Sequence, residues 1–322
     1  MVPCGWFCNS RLLRLDSHVN MADAAIRPAL WMLQGALAFA GMGVLTSLLG
    51  PRCDWMLIAW ARVALMFVAS MLLAWHSGVH LVLFKPRTLW LRSLAGSLSL
   101  VCTFFAMTHL PLGDVLTLTN SYPLWIILLS ALLLKQSPSG KEALGVFCGL
   151  VGVVLIQRPQ LSGDQLASFI ALAASLASAL AMLGLHRLKG IDPRAIVAHF
   201  SGVASLIVGG WLVLRWSHGQ VTIARPDPTT WGLLLGVGLM GTVGQFFLTK
   251  AYAAGAPARV SVISLSQVVF GMIFDWAIWG RSMTPLGYLG FCLVVAPTAW
   301  LTGRGGPEPA PSPVDCLGPL ES

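Results

Sequence analysis

Long apolar runs, each near 20 residues and parted by short polar breaks, recur along almost the whole chain. About 20 helical residues cross the hydrocarbon core of a bilayer. The pattern predicts ten such segments, at roughly 30–50, 55–75, 89–109, 112–134, 142–157, 165–186, 195–214, 231–253, 257–279 and 284–302. The runs are continuous rather than alternating, which excludes a β-barrel. The predicted fold class is an all-α polytopic membrane protein with ten transmembrane helices arranged as two inverted five-helix repeats.

The repeat is visible in the residues. Moved forward by 144 positions, residues 114–158 fall on 258–302 with their landmarks in register: Phe147-Cys148 meets Phe291-Cys292, Thr117 meets Ser261, and Asn120 meets Ser264. Phe104-Phe105 matches Phe246-Phe247 at an offset two residues shorter. Five segments per copy is an odd number, so the copies enter the bilayer in opposite orientations, the usual architecture of a secondary transporter. The expected units are an N-terminal cytoplasmic segment (1–29, with Met21 an alternative start), a first repeat (30–158), a second repeat (163–302) and a disordered Pro/Gly-rich cytoplasmic tail (303–322). Residues 1–20 lack a signal peptide's apolar core and cleavage site.

Polar residues inside the spans are few. The fourth segment carries Asp114, Thr117, Asn120 and Ser121 on one helical face, and the ninth carries Ser261, Ser264 and Gln267 at spacing three. Under the 144-residue shift these are matched stripes, and both are predicted to wall a substrate pathway at similar depth. Taken singly, such hydroxyls more often join helices by hydrogen bonds. Pro123 lacks an N–H and is predicted to break the fourth helix, freeing a carbonyl for substrate or supplying a bend. Gln245, Tyr252, Gln34 and Trp31 are further candidates for contact with an organic solute.

Composition and charge then narrow the class. Only 10% of residues are charged against 56% hydrophobic, too little polar surface for a soluble domain. A net charge of +8 suggests a nucleic-acid partner until the charges are placed. With the N-terminus inside, fourteen Lys and Arg fall on the inner side, Arg92 among them, and five on the outer side, leaving Arg62 within the membrane. The positive-inside rule then puts both termini in the cytoplasm, so the basic balance reports topology and no nucleic acid is expected. Arg62 and Asp275 lie at comparable depth and either pair or snorkel separately to the interface. Lys250 either anchors the inner end of its helix or attracts an anionic substrate. His109 and His199 read as interfacial or core residues. Seven scattered cysteines show neither zinc spacing nor a disulfide framework, and no cofactor or metal is implied. Gly145/Gly149 and Gly232/Gly236 form small-residue faces that suit packing within one subunit or a homodimer.

The run from Phe105 to Asp114, then Tyr122-Pro123-Leu124-Trp125 and Gly145 to Pro159, resembles the first repeat of an EamA-type member of the drug/metabolite transporter superfamily. Gly244-Gln245 through Lys250 and Tyr252, Ala258 to Ser261, and Gly287 to Leu293 resemble its second repeat. The resemblance implies a ten-helix inner-membrane carrier of small metabolites, often an exporter, with cytoplasmic termini. Family members commonly place a Glu after the fourth and ninth helices, where this chain reads Leu134-Lys135-Gln136 and Trp279-Gly280-Arg281. Two candidate proton carriers are thereby removed.

The expected function is alternating-access transport of a small organic metabolite, with Thr117, Asn120, Ser121, Pro123, Ser261, Ser264, Gln267, Gln245, Tyr252, Lys250 and Arg62 as the substrate-binding set. No Walker A loop is present, so ATP is not the direct driver. A membrane scaffold or sensor lacks the soluble module it would need, and an intramembrane enzyme lacks its HExxH or GxSxG motif.

Overall fold

The computed structural model describes residues 10–110, 112–133, 139–159, 164–219, 227–280 and 284–303. The predicted tail beyond Gly303, most of the two stretches where the family resemblance leads one to expect Glu, and residues 1–9 lie outside these. Among the described residues ten helical spans are long and apolar enough to cross a membrane, and every predicted segment coincides with one of them to within a few residues. The first span, Ile26–Leu49, is the latter part of a longer helix, α1 (Ser10–Leu49). Then follow α2 (Trp55–His76) and α3 (Arg87–His109). The fourth span is two helices, α4 (Leu112–Thr119) and α5 (Tyr122–Leu133), and α6 (Gly140–Gln157) ends the first copy. The second copy runs through α7 (Gln165–His186), α8 (Pro193–Ser217) and α9 (Pro228–Ala254). Its fourth span is again divided, into α10 (Pro257–Ser264) and α11 (Ser266–Trp279), before α12 (Pro285–Gly303).

Acidic residues define where spans begin. Asp54, Asp164, Asp192 and Asp227 accept backbone N–H groups at the starts of α2, α7, α8 and α9, and Ser139 with Glu142 forms a capping box on α6. A carboxylate there satisfies N–H groups that have no partner in the helix and sits favourably at the positive end of its dipole. Most of the carboxylates among the described residues are thus used at the membrane surface. Asp227 accepts Thr230 N–H at 2.9 Å and the Thr230 hydroxyl, and lies 3.3 Å from Arg52. The Thr230 hydrogen bonds, helped by Arg52, hold its carboxyl below the usual carboxylate range. A depressed native pKa stabilises the fold above the unfolded value, about 3.9, and that contribution disappears as pH falls through the native one. Asp227→Ala is therefore expected to melt below the parent at neutral pH, the gap closing in acid; a gap independent of pH would refute the assignment.

With ten crossings, both ends of the bundle's chain emerge on one face, called here the terminal face. Helix pairing follows the duplication: α1 packs on α9 as α7 packs on α3, and α2 on α9 as α8 on α3, while α2–α8 and α6–α12 pair each element with its own counterpart. This is the contact pattern of a two-fold axis lying in the membrane plane. Small residues set the closest approaches. A Cβ on Gly152 would sit 2.7 Å from the Gly290 carbonyl oxygen, and one on Gly290 equally close to that of Gly152. Gly145 and Gly149 face Val262, Leu301 and Leu265 within the same chain, and Gly236 faces Leu45. Bulky apolar side chains such as Leu72, Trp75, Phe169 and Leu206 cover the outside of the bundle.

Candidate functional site

The two divided spans are broken in the same way. Ser121 N–H reaches only back to Leu118 O, at 3.2 Å, and Leu124 N–H to Ser121 O, at 3.0 Å. Exactly the corresponding residues, 144 positions on, repeat this: Leu265 N–H to Val262 O at 3.2 Å and Val268 N–H to Leu265 O at 3.0 Å. Each span therefore tightens for one turn from α-helical to three-residue hydrogen bonding, a departure that often marks functional positions. In the fourth span Pro123 contributes by withholding the N–H that would bond Thr119 O. The ninth has no proline at its break. There Ser261 and Ser264 hydroxyls donate to Ala258 O (2.7 Å) and Ser261 O (2.6 Å), competing with the backbone ladder.

Both breaks lie near mid-bilayer. Asn120 is eight residues into its span and Ser264 a similar number into its own, about 12 Å of helix rise, approached from opposite faces. The expectation that the two polar stripes share a depth is corrected by this inversion. Thr117 and Ser261 lie in opposite halves of the bundle, and only the breaks meet. They meet directly: the Tyr122 hydroxyl, from the first copy, is hydrogen-bonded to Ser264 Oγ of the second. Tyr252 of α9, fully buried, stands beside the same pair. Tyr122 was not among the predicted site residues. The signal available was that this chain has three tyrosines and one directly precedes Pro123.

The remaining candidates divide. Thr117 is bonded to Gly113 O (2.8 Å) and Asn120 Nδ2 to Leu116 O (2.7 Å), so both hydrogen bonds are local, while the Asn120 amide oxygen receives no donor among the described residues. Ser121 reaches across to Ser175 Oγ at 3.1 Å, which also accepts Trp125 Nε1–H at 2.9 Å, tying the fourth span to α7. Gln267 is half-buried. Gln245 is buried with its Nε2 unpartnered, and the Tyr252 hydroxyl, two turns along the same face of α9, has no hydrogen bond meeting normal geometry. Lys250 Nζ lies over the rings of Phe246 (4.6 Å) and Trp31 (5.6 Å). Gln34 is exposed on the outside of the bundle.

Two arginines need correction. Arg62 forms no ion pair with Asp275: its Nε is buried without a partner, its side chain lies against Gly241 of α9, and Phe39 covers the guanidinium at 5.8 Å. The pairing fails because α11, which carries Asp275, packs on α1 rather than on α2. Arg92, counted with the inner-side charges, lies buried inside its span. It is 1% exposed, among the largest fully buried side chains, with Phe200 at 4.3 Å. His199 nearby is structural. Its Nε2 faces Leu83 O at 3.1 Å and must donate, so Nδ1 accepts from the Ser93 hydroxyl at 2.8 Å.

On the face opposite the termini, a pocket of about 320 Å³ opens between α2, α3 and α8. Trp55 stacks on Phe104 (5.4 Å) along its wall, with Trp211, Phe105 and His109, and with Arg215 held 3.8 Å from Asp54. Its residues belong to three spans, and their aromatics read in sequence as an interfacial belt.

Comparison with known proteins agrees with this architecture. A solved crystal structure superposes with a TM-score of 0.70 over 87% of this chain and 96% of its own, at 16% identity. The pseudopaline exporter of Pseudomonas aeruginosa strain UCBPP-PA14 is 29% identical over 240 residues, 74% of this chain and 82% of its own. The riboflavin transporter of Brucella anthropi is 23% identical over 199 residues, 61% of this chain and 69% of its own. The model of the EamA-like transporter family matches twice, at residues 26–158 and 165–303, one match to each copy. A multi-pass bundle built from two such units, with the broken spans of both meeting at its centre, belongs to the EamA-like transporter family.

Proposed function

We propose that the protein is a secondary carrier, working as an exporter of a small organic metabolite across the inner membrane, with both termini cytoplasmic. The two five-helix copies rock about the paired breaks, exposing the central site to one face and then the other. The observation that carries this reading is the Tyr122–Ser264 contact, which joins the matched breaks of the two copies at mid-bilayer. Discontinuous helices at a repeat interface are where carriers of this architecture bind substrate. The names of the relatives, an exporter and a transporter of small molecules, support the same class. With Arg92 placed inside its span, the basic residues still divide thirteen to five in favour of the inner side, which supports the orientation.

Untargeted comparison of metabolites inside and outside cells with and without the protein tests the proposal. Some solute should become depleted inside and enriched outside, and purified protein should move it in vesicles without ATP. Unchanged solute distributions, or movement that requires ATP, would overturn the reading. Asn120→Ala and Ser264→Ala should insert normally yet slow transport, each about fivefold if one net hydrogen bond of ~1 kcal/mol is involved. Full rates in both would remove the breaks from the mechanism.

A further inference from the structure

The two-fold axis maps the corner formed by α1, α2 and α9 onto that formed by α7, α8 and α3. Each corner holds one arginine, half-buried in the first and fully buried in the second. Arg62 projects from α2 toward Gly241 of α9 and Phe39 of α1. Arg92 projects from α3 against Gly184 of α7 and Phe200 of α8. The first lies seven residues into its span and the second five, about 10 Å and 8 Å of helix rise, from opposite faces of the bundle. They occupy the same corner of each half, on different helices of it.

Neither guanidinium has an oxygen partner among the described residues. Arg62 Nε, and Arg92 Nε and Nη1, are buried without an acceptor, and an aromatic ring is the only partner shown for either among the described residues. Elsewhere in the chain a structural arginine finds oxygen: Arg187 donates to Leu133 O at 2.8 Å, Arg259 to Leu301 O, and Arg52 to Asp227. Arginine does not escape by losing its proton, and a charge in the bilayer interior is unfavourable unless it is paired or faces a cavity. Two buried polar groups on the same helices are also unpartnered: Gln245 Nε2 on α9, one turn beyond Gly241, and Ser97 Oγ on α3, five residues beyond Arg92. Both corners lack the same thing, an acceptor carrying negative charge.

We propose that Arg62 and Arg92 are two stations for the oxyanion group of the transported solute, one serving each face. The planar guanidinium matches a carboxylate or phosphate in two hydrogen bonds. The corners differ as such a cycle requires, Arg62 being partly accessible and Arg92 sealed at 1% exposure. This inference rests on the carrier reading above, but its test needs no knowledge of the natural solute.

Gln245→Cys and Ser97→Cys, each made in the full chain, place one thiol a turn beyond Gly241, which faces Arg62, and one on the helix that carries Arg92; the parent with its own seven cysteines sets the background. In phosphatidylcholine vesicles each variant is treated from either side with an impermeant sulfonate-bearing thiosulfonate and with its trimethylammonium counterpart. Each thiol should react from one face of the vesicle and not from the other. In both the anionic reagent should be favoured by about tenfold or more. Adding Arg62→Gln or Arg92→Gln should abolish that preference at its own station only, while Arg→Lys retains it. A preference that survives loss of the arginine, or thiols that neither reagent reaches from either face, would overturn the proposal. A carrier that moves a neutral solute would show no preference, leaving the transport reading intact.

Discussion

Gly152→Leu should prevent the bundle from assembling. The Gly152 and Gly290 carbonyls each lie 2.7 Å from where the other's Cβ would be, so α6 and α12 touch backbone to backbone. Even alanine at either position forces the two helices apart, because the obstacle is a carbonyl oxygen and not the end of a flexible side chain. Overpacking of this kind costs about 1–3 kcal/mol, occasionally more. Leucine should exceed that range, against a total stability on the order of 5–15 kcal/mol. In lipid there is no hydrophobic force to hold separated helices together, so lost van der Waals contact is not replaced. The expected result in detergent is loss of the monodisperse peak for Gly152→Leu, and a lowered Tm for Gly152→Ala and Gly290→Ala. Gly210→Ala, where nothing lies within 4 Å of the added carbon, should not lower Tm. Equal behaviour of all these variants would mean that α6 and α12 are not joined through these glycines.

Pro123→Ala should stabilise the protein and slow it. Alanine restores an N–H that can donate to Thr119 O and close the gap between α4 and α5. Proline within a helix costs roughly 3 kcal/mol relative to alanine, and 1.4 kcal/mol is a tenfold change in an equilibrium. A bend that must form in every cycle would then be populated about 100-fold less. Transport should fall by up to that factor while Tm rises, a combination that misfolding does not produce. If neither changes, the break is held by Ser121 and its α7 partners alone. That outcome has a precedent in the same molecule, since the ninth span breaks at Leu265 without any proline.

The two copies show how far a local pattern carries. Pro123 declares the first break because its missing N–H is a property of one residue. The second break arises from serine hydroxyls competing for carbonyls, and Ser261 and Ser264 would serve equally well inside an unbroken helix that points them at a neighbour. Arg92 was counted among the charges of the inner side for a related reason. Five residues from the start of a span, an arginine can lie along the interface or turn inward, and which it does depends on Gly96 and Gly184 leaving room for it. Tyr122 acquires its role only because Ser264, 142 residues away, ends at the same point.

By itself the sequence determined the number of spans, their ends and the duplication, because crossing a bilayer is a matter of hydropathy and length, which each segment carries alone. It also determined the opposed orientation of the copies, since five crossings per copy leave no other arrangement. Only the tertiary structure decided which polar groups share a site. Between helices in lipid, partners are chosen by shape, through glycines and hydrogen bonds, and those choices are made by two surfaces together. The outer ends of the matched stripes therefore parted into opposite halves of the bundle, and the residues at the breaks, Tyr122 and Ser264, became its centre.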